Sequence, residues 1–211
     1  PDLKPAVKKI IDALGAAPPP PPPPPAAKAL DLVLVVDESG SMMDNLAVVK
    51  QAVSKLVASA KAAKIDLRVG VTGVVESSSK LAGKFCSSVS TSPAHAGGVD
   101  RFLAASELST ILGCIANPPG AVMGTEHTLA GGVAAVKRHL PRKAGDTSRI
   151  RPKARLAVVH ITDEMSNELM AKLPTAAGQQ CVLSKQDQAI VDAHVAPHIK
   201  LYSSQKATAH M

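Results

Sequence analysis

Aromatic side chains are almost missing from this 211-residue chain, which has two Phe, one Tyr and no Trp. A sugar-binding platform and a single-strand nucleic-acid groove both need exposed rings to stack on, so the composition argues against each. Whatever core exists must be built from Ala, Val, Leu and Ile, a set that suits helices packed closely on a sheet. No apolar run approaches the ~20 residues of a membrane-spanning helix. The three cysteines, Cys86, Cys114 and Cys181, lack the spacing of a metal site. Nucleotide phosphates would call for a Gly-x-x-x-x-Gly-Lys-Ser/Thr loop, which is missing. Ser39 and Ser41 sit in no Gly-x-Ser-x-Gly elbow, and neither is placed beside a His and an Asp, so nucleophilic catalysis has little support.

The length suits one sizeable domain. Leu3, Val7, Ile10, Ile11 and Leu14 repeat at helical spacing and stop at Gly15, which marks 1–17 as an N-terminal helical segment. The unbroken run Pro18 to Pro25 cannot be helix or inner strand; it predicts a stiff extended linker over 18–29, with a reach of roughly 25 Å at about 3.1 Å per residue. The domain proper then covers 30–211. A chain opening on Pro1 reads as processed or cut from a longer one.

The net charge of +7 is concentrated in one place. Lys137, Arg138, Arg142, Lys143, Arg149, Arg151, Lys153 and Arg155 face a single acid in that stretch, Asp146, and this imbalance equals the whole excess. The segment links the end of a helix to the start of a strand, so it belongs at one end of a sheet as a solvated basic loop, with a docking patch for an acidic partner as the alternative. Lacking a recognition motif and interleaved aromatics, it does not predict nucleic-acid binding.

The chemistry gathers in Asp31-Leu-Val-Leu-Val-Val-Asp37-Glu-Ser39-Gly-Ser41-Met. Leu32 to Val36 show no polar alternation, so this strand is covered on both faces, as in the middle of a parallel sheet. Ligands of open α/β sheets bind beyond the carboxyl ends of the strands, where Gly40 would let the chain turn sharply and aim several oxygens at one point. Carboxylate and hydroxyl oxygens suit a hard cation such as Mg2+. The plainer alternative is that Asp37 and Ser39 cap the following helix. Downstream, Leu46, Val49, Val53, Leu56 and Ala60 form one helical face, Leu67 to Val71 predict a second strand, and the apolar run from Leu156 ends in Thr162-Asp163-Glu164.

An apolar strand running into Asp-x-Ser-x-Ser-Met, followed by a later strand ending in an acid, resembles the von Willebrand factor A domain family and its metal-ion-dependent adhesion site. That resemblance implies a three-layer α/β/α, Rossmann-like domain with a mostly parallel central sheet. It further implies a Mg2+ (or Mn2+ or Ca2+) site in which Ser39 and Ser41 bind directly and Asp37 and Asp163 hold coordinated waters. A second loop contributes one more ligand. Here that loop reads Gly124-Thr125-Glu126-His127-Thr128-Leu129, with Leu129, Val133, Val136 and Leu140 at helical spacing behind it. Thr125, Thr128 or Glu126 can occupy the ligand position; Glu126 resembles a subgroup of bacterial envelope proteins, and a carboxylate there would neutralise more of the cation's charge. Glu126 and Thr128 also fit the ordinary first turn of a helix, where acids favour the dipole.

The implied role is protein binding without catalysis, with an acidic side chain of the partner completing the cation's shell. The implied location is the cell envelope or outside the cell. A disulfide between Cys86 and Cys114, which would close a Ser-, Gly- and Pro-rich loop, resembles the secreted bacterial members; buried free thiols are the alternative. Other readings are a cytoplasmic subunit docking on a ring ATPase, a structural module whose cation is enclosed by Glu126 or Glu164, and a Mg2+-dependent phosphotransferase with Asp37 as nucleophile. The last would need an acid two residues on, where Ser39 stands. Towards the end of the chain, Gln188 to Val195 predict a helix and Ile199 to Tyr202 a strand, with the family's final helix and strand not evident.

Overall fold

A computed structural model describes residues 29–37, 39–74, 80–86, 100–116, 127–163, 189, 192–193, 195–197, 200–201 and 207–210. The N-terminal helical segment, residues 18–28 of the proline linker, Thr125, Glu126, Glu164 and Cys181 lie outside them, and Ala29, the linker's last expected residue, opens the first strand.

Strand β1 (Ala29–Val36) is buried from Asp31 onward, and its apolar side chains alternate between two cores. Leu32, Leu34 and Val36 join a cluster with helix α1 (Leu46–Ala62), strand β2 (Asp66–Gly73) and helix α2 (Leu108–Ala116). Val33 and Val35 face the other way, into a cluster with helix α3 (Thr128–Arg138) and strand β4 (Arg155–Ile161). Helices therefore cover both faces, which is why β1 carries no polar alternation.

Helix α1 buries Leu46, Val53, Val57 and Ala60, each large aliphatic side chain contributing about 1.5–3 kcal/mol. Val57 takes the core position that periodicity assigns to Leu56, which is 39% exposed. The helix ends where Lys64 adopts a positive φ of 54° and the Ile65 amide bonds the Ala60 carbonyl, turning the chain back into β2.

The sheet order is β3-β2-β1-β4-β5, with β3 at Leu103–Ala104 and β5 at Ala207–His210. Pairs β1–β2, β1–β4 and β4–β5 are parallel, whereas β3 runs antiparallel to β2. The sheet is thus mixed, which corrects the expectation of a mostly parallel one. An antiparallel neighbour needs no crossover helix, and this two-residue edge strand arrives directly before α2. Lys200 and Leu201 are helical, so the strand expected at Ile199 to Tyr202 is displaced to β5.

The basic segment is solvated only in part: Lys137, Arg138, Lys143, Lys153 and Arg155 are exposed, whereas Arg142, Arg149 and Arg151 turn inward. Asp31, fully buried at the start of β1, accepts bonds from Arg68 Nε (3.0 Å), Arg68 Nη2 (3.0 Å), Arg151 Nε (2.8 Å) and the Arg151 amide (2.7 Å). Arg151 also pairs with Asp66, Arg149 donates to the carbonyls of Arg138 and Leu140, and Arg142 donates to those of Arg151 and Ala154. Burial pulls the Arg142 guanidinium below its usual range, against the raising influence of Asp31. These guanidinium groups satisfy a buried carboxylate and the carbonyls of a connection that has little regular structure.

Both Phe residues go into the α3-side core. Phe85 stacks on His139 at 3.7 Å between ring centroids and meets Phe102 edge-on at 4.7 Å. Gly70 leaves room for the Phe85 ring, and Gly83, at φ +68°, lies where any Cβ would collide with the α3 backbone at Ala134 and Ala135. Asp100 closes this corner, accepting from the Phe85 amide (2.7 Å), lying 3.3 Å from His139 Nε2 and pairing with Arg138. Burial pushes the Asp100 carboxyl up, but the bonds from His139, Arg138 and Phe85 outweigh it and bring it down to about 2. On the opposite face Cys86 and Cys114 form a disulfide with 5.8 Å between their Cα atoms, tying the stretch after β2 to α2.

Candidate functional site

Strands β1 and β4 run side by side with Val36 opposite Ile161, so residues 37 and 162–163 leave the sheet together at its carboxyl edge. The Asp37 amide extends the ladder by one bond, to the Ile161 carbonyl at 2.9 Å. Asp37 itself is fully buried. Its Oδ1 accepts the Ser39 amide at 2.8 Å, a turn closed by the side chain on its own loop. Its Oδ2 accepts the Thr162 hydroxyl at 2.8 Å.

From this buried acid the loop rises to the surface. Ser39 opens a short 3-10 turn, Gly40–Met42, which is pinned underneath by Met42 at 3% exposure. The Ser39 and Ser41 hydroxyl oxygens are 2.9 Å apart, and the Ser41 hydroxyl donates to Asp163 Oδ1 at 3.2 Å. Asp37, Ser39, Ser41 and Asp163 are thus joined by one chain of short polar contacts that bridges 122 to 125 residues of sequence. Asp37 is sealed in, while Ser41 and Asp163 are exposed. The arrangement offers carboxylate and hydroxyl oxygens on one small patch, a donor set for a hard cation.

Two details of the sequence reading change. Neither Asp37 nor Ser39 caps α1: the N-cap of that helix is Asn45, and Ser39 makes no capping bond with its side chain. Gly40 is not needed for the turn, since it has no positive φ and a Cβ there would meet nothing within 4 Å.

Among the three second-loop candidates, Thr128 is described and lies at the first position of α3. It is 2% exposed, and its Oγ1 has no hydrogen-bond partner. Its carbonyl accepts from His160 Nδ1 at 3.0 Å, which holds the start of α3 against β4 and identifies His160 as a bonded core residue rather than a ligand. Gly131 lets the helix sit close: a Cβ there would stand 2.9 Å from the Gly73 carbonyl and 3.2 Å from Val35 Cγ1. Thr72, on β2 opposite Val35, is a second buried threonine with an unpartnered Oγ1. Among the described residues, no three His, Cys, Asp or Glu side chains gather into a metal-type group. Among the described residues, the donors at this edge are two carboxylates with serine and threonine hydroxyls.

Thr162 is the residue that sequence reasoning missed. Its signal was the period of β4: Leu156, Val158 and His160 face the α3-side core, and position 162 continues that row toward Asp37.

No family model matches the chain, and no curated protein does. Among solved structures it is similar to the pilus adhesin SpaC from Lactobacillus rhamnosus GG in its open conformation, at 22% identity and a TM-score of 0.39, over 67% of this chain and 15% of that chain.

Proposed function

We propose that this chain carries a von Willebrand factor A-type domain that binds a protein partner through a divalent cation and catalyses nothing. The observation behind this reading is the convergence of Asp37, Ser39, Ser41 and Asp163 at one sheet edge, when two of them lie 122 residues from their bonded neighbours. The residues fit a hard cation: all donors are oxygens, and the buried Thr128 hydroxyl has no protein partner, an orphaned group that a ligand would satisfy. Ser39 and Ser41 would hold Mg2+, Mn2+ or Ca2+ directly, Asp37 and Asp163 through coordinated waters, and Thr128, Thr125 or Glu126 would complete the protein's share. A bound cation would present an open position to an acidic side chain of the partner. Asp37 orients the loop from below, and Ser41 and Asp163 keep the site at the surface where a partner reaches it.

The Cys86–Cys114 disulfide supports a place in the cell envelope or outside the cell, since such bonds persist in oxidising compartments. It weighs against a cytoplasmic subunit of a ring ATPase. Calorimetry with Mg2+ and Mn2+ tests the reading: wild type binds and Asp37→Ala loses binding at least ~10-fold. Equal binding by the two proteins refutes it.

A further inference from the structure

Two consecutive residues at the end of β4 grip the two ends of the Asp37 to Ser41 loop. Thr162 donates to Asp37 Oδ2 at 2.8 Å, and Asp163 accepts from Ser41 Oγ at 3.2 Å. The Asp37 carboxylate is fully buried, with the Ser39 amide on its other oxygen, so the Thr162 bond sets the plane of the carboxyl group and spends one of its lone pairs. Neighbours on a strand point to opposite faces. At the strand's end this opposition lets Thr162 reach inward to the sealed acid while Asp163 reaches outward to the exposed serine.

We infer that Thr162 is a positioning residue of the cation site, which holds the Asp37 carboxylate in place before any cation arrives. The inference rests on the cation-binding reading above. A carboxylate fixed on both oxygens presents its remaining lone pairs in one direction and loses no further rotamer freedom on binding. Without the threonine hydroxyl, the buried acid keeps its Ser39 bond and can rotate about it.

Mn2+ titrations of wild type, Thr162→Val and Thr162→Ser by calorimetry, with thermal melts in the absence of metal, test this. The expected result is a dissociation constant raised ~10-fold or more in Thr162→Val, the lower end for loss of a bond to a ligating group. Thr162→Ser, which keeps the hydroxyl, should stay within about 3-fold of wild type by the same reasoning. Should Thr162→Val not fold, Thr162→Ala carries the same test. A Val or Ala variant that binds Mn2+ within about 2-fold of wild type overturns the positioning role alone, as does a Ser variant that loses as much as Val. A wild-type protein that binds no Mn2+ overturns the cation-binding reading and this inference with it.

Discussion

Replacing Asp31 by Ala should damage the fold more than any surface charge change, because it removes the shared partner of two guanidinium groups. Asp31 is fully buried, and the side chains of Arg68 and Arg151 are only 13% and 18% exposed. Three side-chain N–H groups and one amide converge on the two carboxylate oxygens within 3.0 Å. Removing Asp31 leaves Arg68 desolvated without its carboxylate and Arg151 with Asp66 as its acid; breaking a buried pair in this way costs about 3–5 kcal/mol. Against a total stability of roughly 5–15 kcal/mol, that is a large share. With a urea m-value of about 1–3 kcal/mol/M, the midpoint should fall by at least ~1 M. Equilibrium denaturation followed by far-UV circular dichroism, with the disulfide intact, measures it. Asp31→Asn keeps the shape and loses the charge, so it should fall between wild type and Asp31→Ala. Wild type in 0.5 M NaCl should not reproduce the loss, since salt at that level screens exposed pairs far more than buried ones. A midpoint shift below ~0.3 M for Asp31→Ala would mean that the cluster contributes no more than an exposed ion pair, and the reasoning from burial would fail.

Acid stability should carry the mark of Asp100. Its folded-state value of about 2 lies below the ordinary 3.8, so its stabilisation is fully present above pH 3.8 and is lost as the pH falls through 2. The difference corresponds to about 2 kcal/mol. Asp100→Asn should be less stable than wild type at pH 6 and should flatten this part of the acid limb in thermal melts; parallel acid limbs would count against the assignment. Glu107 is also held down to about 2, first by Arg101 and then by the Ala104 amide, but it is more exposed, so its share of the same window is smaller. For the disulfide, the bond closes a separation of 28 residues, and removing it in a Cys86→Ala, Cys114→Ala double variant should cost about 3 kcal/mol by denaturant titration. Both sulfurs are buried, so reduction of the native protein should need denaturant. Rapid reduction by a small thiol under native conditions would contradict that placement.

Much of this protein was legible in its order of residues because the signals were local. Five consecutive apolar residues from Leu32 cannot sit on a half-exposed strand, and β1 is covered on both faces as that implies. The repeat through Leu46, Val53 and Ala60 marks the buried stripe of α1, with an error of one position at Leu56 because Val57 is equally apolar. The fate of the basic segment was hidden. Nothing local to Arg151 marks it as inward-facing, because its partner Asp31 stands more than a hundred residues away, at the head of an apolar strand. An acid at the start of such a strand was the available clue, since a buried carboxylate requires donors.

The sequence alone determined the chemistry on offer: an acid and two hydroxyls after one apolar strand, a Thr-Asp pair after another, and almost no aromatic surface. These follow from residue type and spacing, which act over a few positions of chain. Only the tertiary structure decided that β1 and β4 are neighbours, that β3 makes the sheet mixed, and that Thr162 and Asp163 meet the two ends of the Asp37 loop. Strand pairing, burial of Asp31 and closure of the oxygen cluster depend on groups that are distant in sequence. Their energies exist only once the cores on both faces of the sheet have brought those groups together.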